Sequence, residues 1–407
     1  MIVHGVTDND VHPPLFGASQ RLFGLYRGLA RRHAVRVLAV VPNRNRGPAR
    51  EQVGGFELLR RKAWYTAVTW RLERARLAPH FLAAHAHRAR AAALLRDLGE
   101  APDVLMADLP VAGALERRSA ALRVYHAHNV ELEHFQRAGP ALAARHAWAA
   151  RLRALEGRAV AAADLVVAVS AGDAATFQRL YGVAAERVIV APNGWDETAL
   201  RPPTPEERTR ARSVLGIEAD DYVALFMGSD VPHNRAALAR LETALPRLPR
   251  GFRLVVVGRI ADRLAGRREP WLLAFPERAD VLPLLHAADA GVNPVASGGG
   301  SNVKLPAYLA AGLAVVTSAH GARGYEDLAP HVVIADESGA AGESLAAALS
   351  GRPRGWHAAG APAPPALASY AWGRIGEALG DALERRLPAV GAAAPAAVAA
   401  GRGGSAA

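Results

Sequence analysis

Apolar residues fall in short runs along this chain, separated by stretches whose apolar positions lie three and four apart. Residues 2–6 and 36–41 read as buried strands, and residues 18–32 between them carry the periodicity of an amphipathic helix. Further strands are predicted at 103–106, 122–125, 165–169 and 187–190, with a helix over 149–163 and another beginning near Gly172. The segment Arg201-Pro202-Pro203-Thr204-Pro205 breaks the alternation. It resumes with strands at 222–227, 252–257, 290–293 and 314–317 and a helix over 235–245. A short helix near 340–349, a Gly/Pro/Ala linker and an amphipathic helix at 369–386 complete the pattern, while 263–276 carries no readable period and reads as loop.

Strand-helix alternation of this kind builds parallel sheets covered on both faces. The prediction is an α/β chain of two Rossmann-like domains, 1–200 and 201–350, then a linker and helix at 351–386 and a disordered tail at 387–407. Residues 64–98 read as one long helical region in which Trp64, Tyr65 and Trp70 interleave with Arg71, Arg74, Arg76, Arg88 and Arg90. Aromatics packed inward are the commoner cause of such a pattern. An anionic membrane surface, with aromatics at the headgroups and arginines on phosphates, fits it too.

Composition narrows the class. The 407 residues exceed one ordinary core, and 51% hydrophobic with 21% charged residues is globular. The absence of cysteine excludes disulfides, thiolate metal sites and thiol catalysis, and suits a reducing cytosol. The first residues lack a basic region followed by a long apolar run, and no uncharged apolar segment reaches 18 residues before the tail, so neither signal peptide nor membrane span is predicted. The formal charge of +11 favours anionic partners, although GC-rich coding produces the same arginine bias.

One place departs from that bias. Lys62 and Lys304 are the only lysines among 49 basic residues, and Lys304 directly follows Ser297-Gly298-Gly299-Gly300-Ser301-Asn302-Val303. Consecutive glycines allow positive φ and turn backbone N–H groups toward an anion, and a following helix adds its positive end. The loop leaves the carboxyl end of a predicted strand, the favoured place for a phosphate in such sheets. A packing loop with a surface lysine has the same composition, and no stricter nucleotide fingerprint is matched. Small residues Gly17-Ala18-Ser19 open the first predicted helix, either as a cap or beside a ligand. The strand at 122–125 runs into His126-Ala127-His128-Asn129-Val130-Glu131, again at a strand end. Zinc would need a third ligand at recognisable spacing, which does not follow, and histidines satisfied in a turn are the plain alternative.

Taken in order, the small-residue loop at 17–19, the His128-Asn129-Val130-Glu131 strand end, 163–170 (ADLVVAVS), 190–196 (VAPNGWD) and the segment 298–312 resemble the retaining nucleotide-sugar glycosyltransferases of group 1, or family 4, with the GT-B fold. The resemblance covers residues 1–386. It implies two Rossmann-like domains facing across a cleft, with the C-terminal helix returning toward the N-terminal domain. It also implies a UDP- or GDP-linked sugar on the second domain, an acceptor (sugar, lipid or natural product) on the first, and transfer with retention and without metal or cofactor. His128 corresponds to the family's histidine near the sugar, with His126 the lesser candidate. Lys304 and the amides of Gly298, Gly299, Gly300, Ser301 and Asn302 would meet the diphosphate. Gly228, Ser229 and Arg259 would line the donor pocket, and Gly17, Ala18, Asn129 and Glu131 would face the acceptor or diphosphate.

Two departures stand out. The family's paired glutamates map onto Gly299 and Ala307, and its Arg-Lys pair after the first C-domain strand is reduced to Arg235. The implied setting is the cytoplasm, with contact at the inner membrane face. Other readings are a non-catalytic paralogue, an epimerase or phosphorylase on the same fold, and a basic protein binding a membrane surface or nucleic acid. The last lacks any nucleic-acid motif.

Overall fold

The computed structural model describes residues 1–117, 121–138, 144–335 and 342–387. Two sheets organise them. The first contains β1 (Ile2–Thr7), β2 (Ala34–Pro42), β3 (Arg50–Val53), β4 (Phe56–Ala63), β5 (Val104–Ala107), β6 (Leu122–His126), β7 (Leu165–Ala168) and β8 (Val188–Val190), in the order β3-β4-β2-β1-β5-β6-β7-β8. The second contains β9 (Tyr222–Met227), β10 (Phe252–Val257), β11 (Leu272–Phe275), β12 (Ala290–Asn293), β13 (Ala314–Thr317) and β14 (Val333–Ile334), in the order β11-β10-β9-β12-β13-β14. Every pairing is parallel except the β3/β4 hairpin. Strands β5, β7, β12 and β13 are buried along their whole length, as apolar runs covered by helices on both faces must be.

The strand order reverses between β1 and β5 in the first sheet and between β9 and β12 in the second. Loops leaving neighbouring strands on either side of a reversal diverge and open a crevice at the carboxyl ends. Both crevices open onto the same gap between the sheets.

The last helix, Trp372–Glu384, ties the halves together. Its apolar positions Trp372, Ile375, Leu379 and Leu383 share one face and pack with Leu22, Leu25 and Leu29 of the first helix, Gly17–Ala30. Glycines bring the two backbones together: a Cβ on Gly28 would lie 2.6 Å from Trp372 O, and one on Gly376 would collide with the Gly28 backbone. The connection between domains is laced to the same point. Trp195 N donates to Tyr370 O (2.9 Å), Trp372 N donates to Trp195 O (3.1 Å), and Arg27 grips Asp196 through both guanidinium arms at 2.9 and 2.8 Å.

Three sequence expectations need correction. The region 64–98 is two helices, Trp64–Arg74 and Ala83–Asp97, because Arg76 turns left-handed (φ 58°) and Pro79 cannot continue a helix. Its aromatics divide: Tyr65 is buried against His87, whereas Trp64 is exposed. The patternless stretch 263–276 contains edge strand β11, and the β3/β4 hairpin was not anticipated although Gly54-Gly55 marks its turn. The expected disordered tail, apart from Leu387, lies outside the described residues.

The Gly28/Gly376 crossing generates a prediction. Gly376→Ala should cost about 1–3 kcal/mol, since the added methyl has no room without moving a backbone. Urea denaturation should show a lower midpoint with native far-UV circular dichroism retained.

Candidate functional site

The gap between the sheets is a cleft of about 490 Å³. Residues 14–18 and 20–21, with His128, Asn129 and His134, line it from the first half. Gly228, Ser229, His233, Asn234, 297–299 and 301–304 line it from the second.

The glycine loop crosses this gap. Gly298 and Gly300 sit at φ 126° and 57°, a conformation that L side chains seldom adopt. Gly299 has an allowed φ but is crowded. A Cβ there would lie 2.6 Å from Asn129 Oδ1 and 2.7 Å from His134 Nδ1, so a side chain at 299 would have to push these two side chains aside. A Cβ on Gly300 would lie 2.7 Å from His128 O. The loop is therefore pressed against the first domain, and Asn193 Nδ2 pins it by donating to Ser301 O (2.8 Å).

Lys304 opens the seven-residue helix Lys304–Ala310, and its own N–H is taken by Asn302 Oδ1 at 3.1 Å. Its Nζ donates to Asn234 Oδ1 (2.9 Å) and Asn293 Oδ1 (3.3 Å) and stands 4.8 Å from the centre of the Phe226 ring. The residue is partly accessible from the cleft, whereas the ammonium is surrounded by protein, and burial pushes its pKa down to about 7. Among the described residues no carboxylate pairs with it. Burial, and next Lys304 itself, hold neighbouring His233 down to about 4, so that ring is neutral.

Across the cleft, His128 Nε2 meets Asp108 Oδ2 at 2.8 Å, and Thr7 Oγ1 donates to the same oxygen at 2.7 Å. Asp108 is 1% exposed; burial pushes its carboxyl upward, opposed by the His128 and Thr7 bonds. An Nε2–H donated to Asp108 leaves the unpaired Nδ1 as an acceptor. His126 is fully enclosed and receives the Arg21 Nε–H at 3.1 Å, so the two histidines have separate partners at Nε2, and each keeps a buried Nδ1 without one among the described residues. The helix Glu131–Ala138 that carries His134 begins on Glu156, whose carboxylate accepts the N–H groups of Glu131 (2.7 Å) and Leu132 (3.1 Å). Burial, then Glu131, raises Glu156 to about 7.

The sequence candidates thus divide by position. His128, Lys304, Gly17, Ala18, Asn129, Gly228, Ser229, Gly298, Gly299, Ser301 and Asn302 come together on the cleft wall, and so does Ala307. Gly300 faces the first domain instead. Glu131 lies behind the wall, accepting from Asn129 Nδ2 at 3.2 Å. Arg259 is 56% exposed in its side chain and bonded to Glu277 at 3.2 Å, outside the lining. Arg235 is held by Asp230.

Sequence reasoning missed Arg21, Asp108 and Asn193. Arg21 lies one helical turn beyond Gly17, on the same face, and Asp108 ends β5 as His128 ends β6. Those positions were the available signals.

Comparisons with known proteins agree with this layout. Residues 17–199 match the model of Glycosyltransferase Family 4, and residues 221–350 match that of Glycosyl transferases group 1. A D-inositol 3-phosphate glycosyltransferase from Xylanimonas cellulosilytica is 36% identical over 126 residues, which span 29% of this chain and 29% of that relative's length. Among solved structures, sucrose-phosphate synthase from Thermosynechococcus elongatus superposes with a TM-score of 0.64 at 16% identity, covering 96% of this chain and 94% of that one. The Anabaena protein HepE in complex with UDP-glucose gives 0.62 at 17% identity, with 94% and 99% covered. The catalytic domain of starch synthase IV from Arabidopsis thaliana, bound to ADP and acarbose, gives 0.65 at 15% identity, with 95% and 99% covered. The fold is GT-B.

A stability prediction follows from Lys304. Its pKa is depressed in the fold, so the unfolded chain binds more protons between about pH 7 and 10.5, and the native state gains stability as pH rises through that window. Lys304→Met should remove this slope and leave the unliganded protein as stable as wild type or more so at pH 7. Thermal melts of both proteins across pH 6–10 measure it; a large loss of stability in the variant would show that the ammonium is a structural anchor.

Proposed function

Because the chain belongs to the group 1, family 4 glycosyltransferases, we propose that it moves a sugar from a nucleoside diphosphate to an acceptor hydroxyl in the cleft, with retention and without a metal. The observation that carries this reading is the Lys304 ammonium, enclosed beside the glycine loop with two asparagine oxygens and a ring face as partners. An enclosed charge lacking a counter-ion is costly, and a diphosphate offsets that cost.

In this reading the loop amides at 298–302 and Lys304 receive the diphosphate, Gly228 and Ser229 border the donor, and Gly17 and Ala18 stand opposite. As the bond from the anomeric carbon to the phosphate oxygen breaks, negative charge gathers on the leaving oxygen and positive charge on the sugar. Fixed cations and N–H donors aimed at the leaving group stabilise that state, which is the role a metal would otherwise fill. The UDP-glucose complex of HepE makes UDP-linked sugars the first donors to test, with GDP-linked ones next.

One observation favours a second stereochemical course. The His128–Asp108 pair holds the imidazole through Nε2, and Nδ1, buried and without a partner among the described residues, would serve as a general base once an acceptor hydroxyl replaced its present cover, as a single displacement with inversion requires. The anomeric proton coupling of the product decides between the two.

The acceptor is proposed to be reached at the inner face of a membrane. Trp64, Val68, Trp70 and Leu77 are 61%, 39%, 37% and 67% exposed, among the exposed Arg61, Arg71, Arg74 and Arg76. Among the described residues no helix is long and apolar enough to cross a membrane. Cosedimentation with anionic but not zwitterionic vesicles, weakened in Trp64→Ala, is the expected outcome.

For the reaction itself, nucleotide-sugars should be screened for release of nucleoside diphosphate. UDP or GDP should stabilise the chain by about 2.7 kcal/mol at a hundred times its dissociation constant. Absence of any thermal shift at millimolar concentration would remove the donor site. His128→Ala should abolish turnover while nucleotide binding persists.

A further inference from the structure

We propose that Arg21 is an oxyanion receptor supplied by the first domain, its free Nη2 donating to a phosphate oxygen held between His128 and the 298–302 loop. The inference rests on the reading of the cleft as a phosphate site and adds a ligand from the domain assigned to the acceptor.

Arg21 is 1% exposed yet lines the cleft. Its Nη1 donates to Ala191 O (2.8 Å), Pro192 O (3.3 Å) and Asn193 Oδ1 (3.2 Å), and its Nε donates to His126. Nη2 has no partner. All four acceptors are neutral, since burial and then Arg21 itself keep His126 far below its ordinary pKa. Asp173 is felt electrostatically but makes no hydrogen bond to the guanidinium. Bracing the 191–193 turn occupies Nη1, and fixing His126 occupies Nε. Neither role uses Nη2, and a buried N–H left unpaired costs about 1–3 kcal/mol, more on a charged group.

Its location supplies the ligand. Asn193 links the guanidinium to Ser301 O, and the His126 ring links it to His128, with ring centres 5.1 Å apart. Arg21 is thus set between the candidate sugar-facing histidine and the candidate phosphate loop. Arg235 and Arg259 of the second domain are instead bonded to Asp230 and Glu277. The phosphate is either the donor's diphosphate or one carried by the acceptor, and the planar guanidinium recognises both alike.

Isothermal titration of wild type, Arg21→Gln and Arg21→Lys with inorganic pyrophosphate, UDP and uridine tests the proposal. Arg21→Gln should bind pyrophosphate about tenfold or more weakly, in line with one charged hydrogen bond, with uridine binding unchanged. Pyrophosphate displaced by UDP, with both weakened in the variant, identifies the donor's phosphate. Inorganic phosphate binding alongside saturating UDP, and lost in the variant, identifies an acceptor phosphate. Equal affinity of wild type and Arg21→Gln for every phosphate probe overturns the proposal. Should Arg21→Gln fail to fold, Arg21→Lys carries the test: one ammonium cannot keep the Nη1 anchors and also reach the anion, so a loss of about threefold or more upholds the role and unchanged affinity overturns it. Wild-type chain that takes pyrophosphate, loses it in the variant and ignores UDP and GDP upholds Arg21 and removes the nucleotide-sugar reading.

Discussion

Positive charge held out of water without a matching carboxylate is the constraint on which the cleft depends. Lys304 rests on asparagine oxygens and the Phe226 ring, and Arg21 rests on carbonyls, an amide and a neutral imidazole. Elsewhere the same chain pairs its arginines with acids as a matter of course: Arg27 with Asp196, Arg60 with Asp10 and Glu51, Arg123 with Asp164. The two carboxylates on the cleft wall, Asp196 and Glu277, are themselves engaged by Arg27 and Arg259. Stability has been given up locally in favour of a site whose charge is not cancelled from within.

That site exists only while the halves are apposed. The glycine loop belongs to the second sheet, but the atoms that crowd positions 299 and 300 belong to the first domain. Gly17 also faces Val303 across the gap, although a Cβ there would make only an ordinary contact, 3.9 Å from Val303 Cγ2. Small residues at these points let two backbones approach until a single anion could touch both. Relative motion of the domains would change the site's composition as well as its size, since His128, Arg21 and Asn129 would leave with the first half.

Much of the architecture was legible because buried parallel strands are short continuous apolar runs, and those runs carry their own boundaries. The strand ends then pointed to 128 and 298–304 without any contact being known. What stayed hidden is what period cannot encode. Strand β11 has no partner on one side and reads as loop, and the β3/β4 hairpin, Arg50-Glu51-Gln52-Val53 and Phe56-Glu57-Leu58-Leu59-Arg60-Arg61-Lys62-Ala63, shows neither a clean alternation nor a long apolar run. The roles of Arg21, Asp108 and Asn193 depend on contacts made across 20 to 172 residues of sequence. Arg259 illustrates the converse: its position after β10 is a strand end like the others, yet a salt bridge to Glu277 turns it outward.

The order in which the chain emerges during synthesis gives the final helix a further meaning. Leu22, Leu25 and Leu29 of the first helix are synthesised long before their cover, Trp372 to Leu383. Until then the nascent first domain carries a greasy groove with glycines at its floor, the kind of surface that chaperones hold and that adheres to neighbours. A chain broken off ahead of Trp372 would keep both sheets but not this lid, so translation has to pass Leu383 before the groove of the first domain is covered.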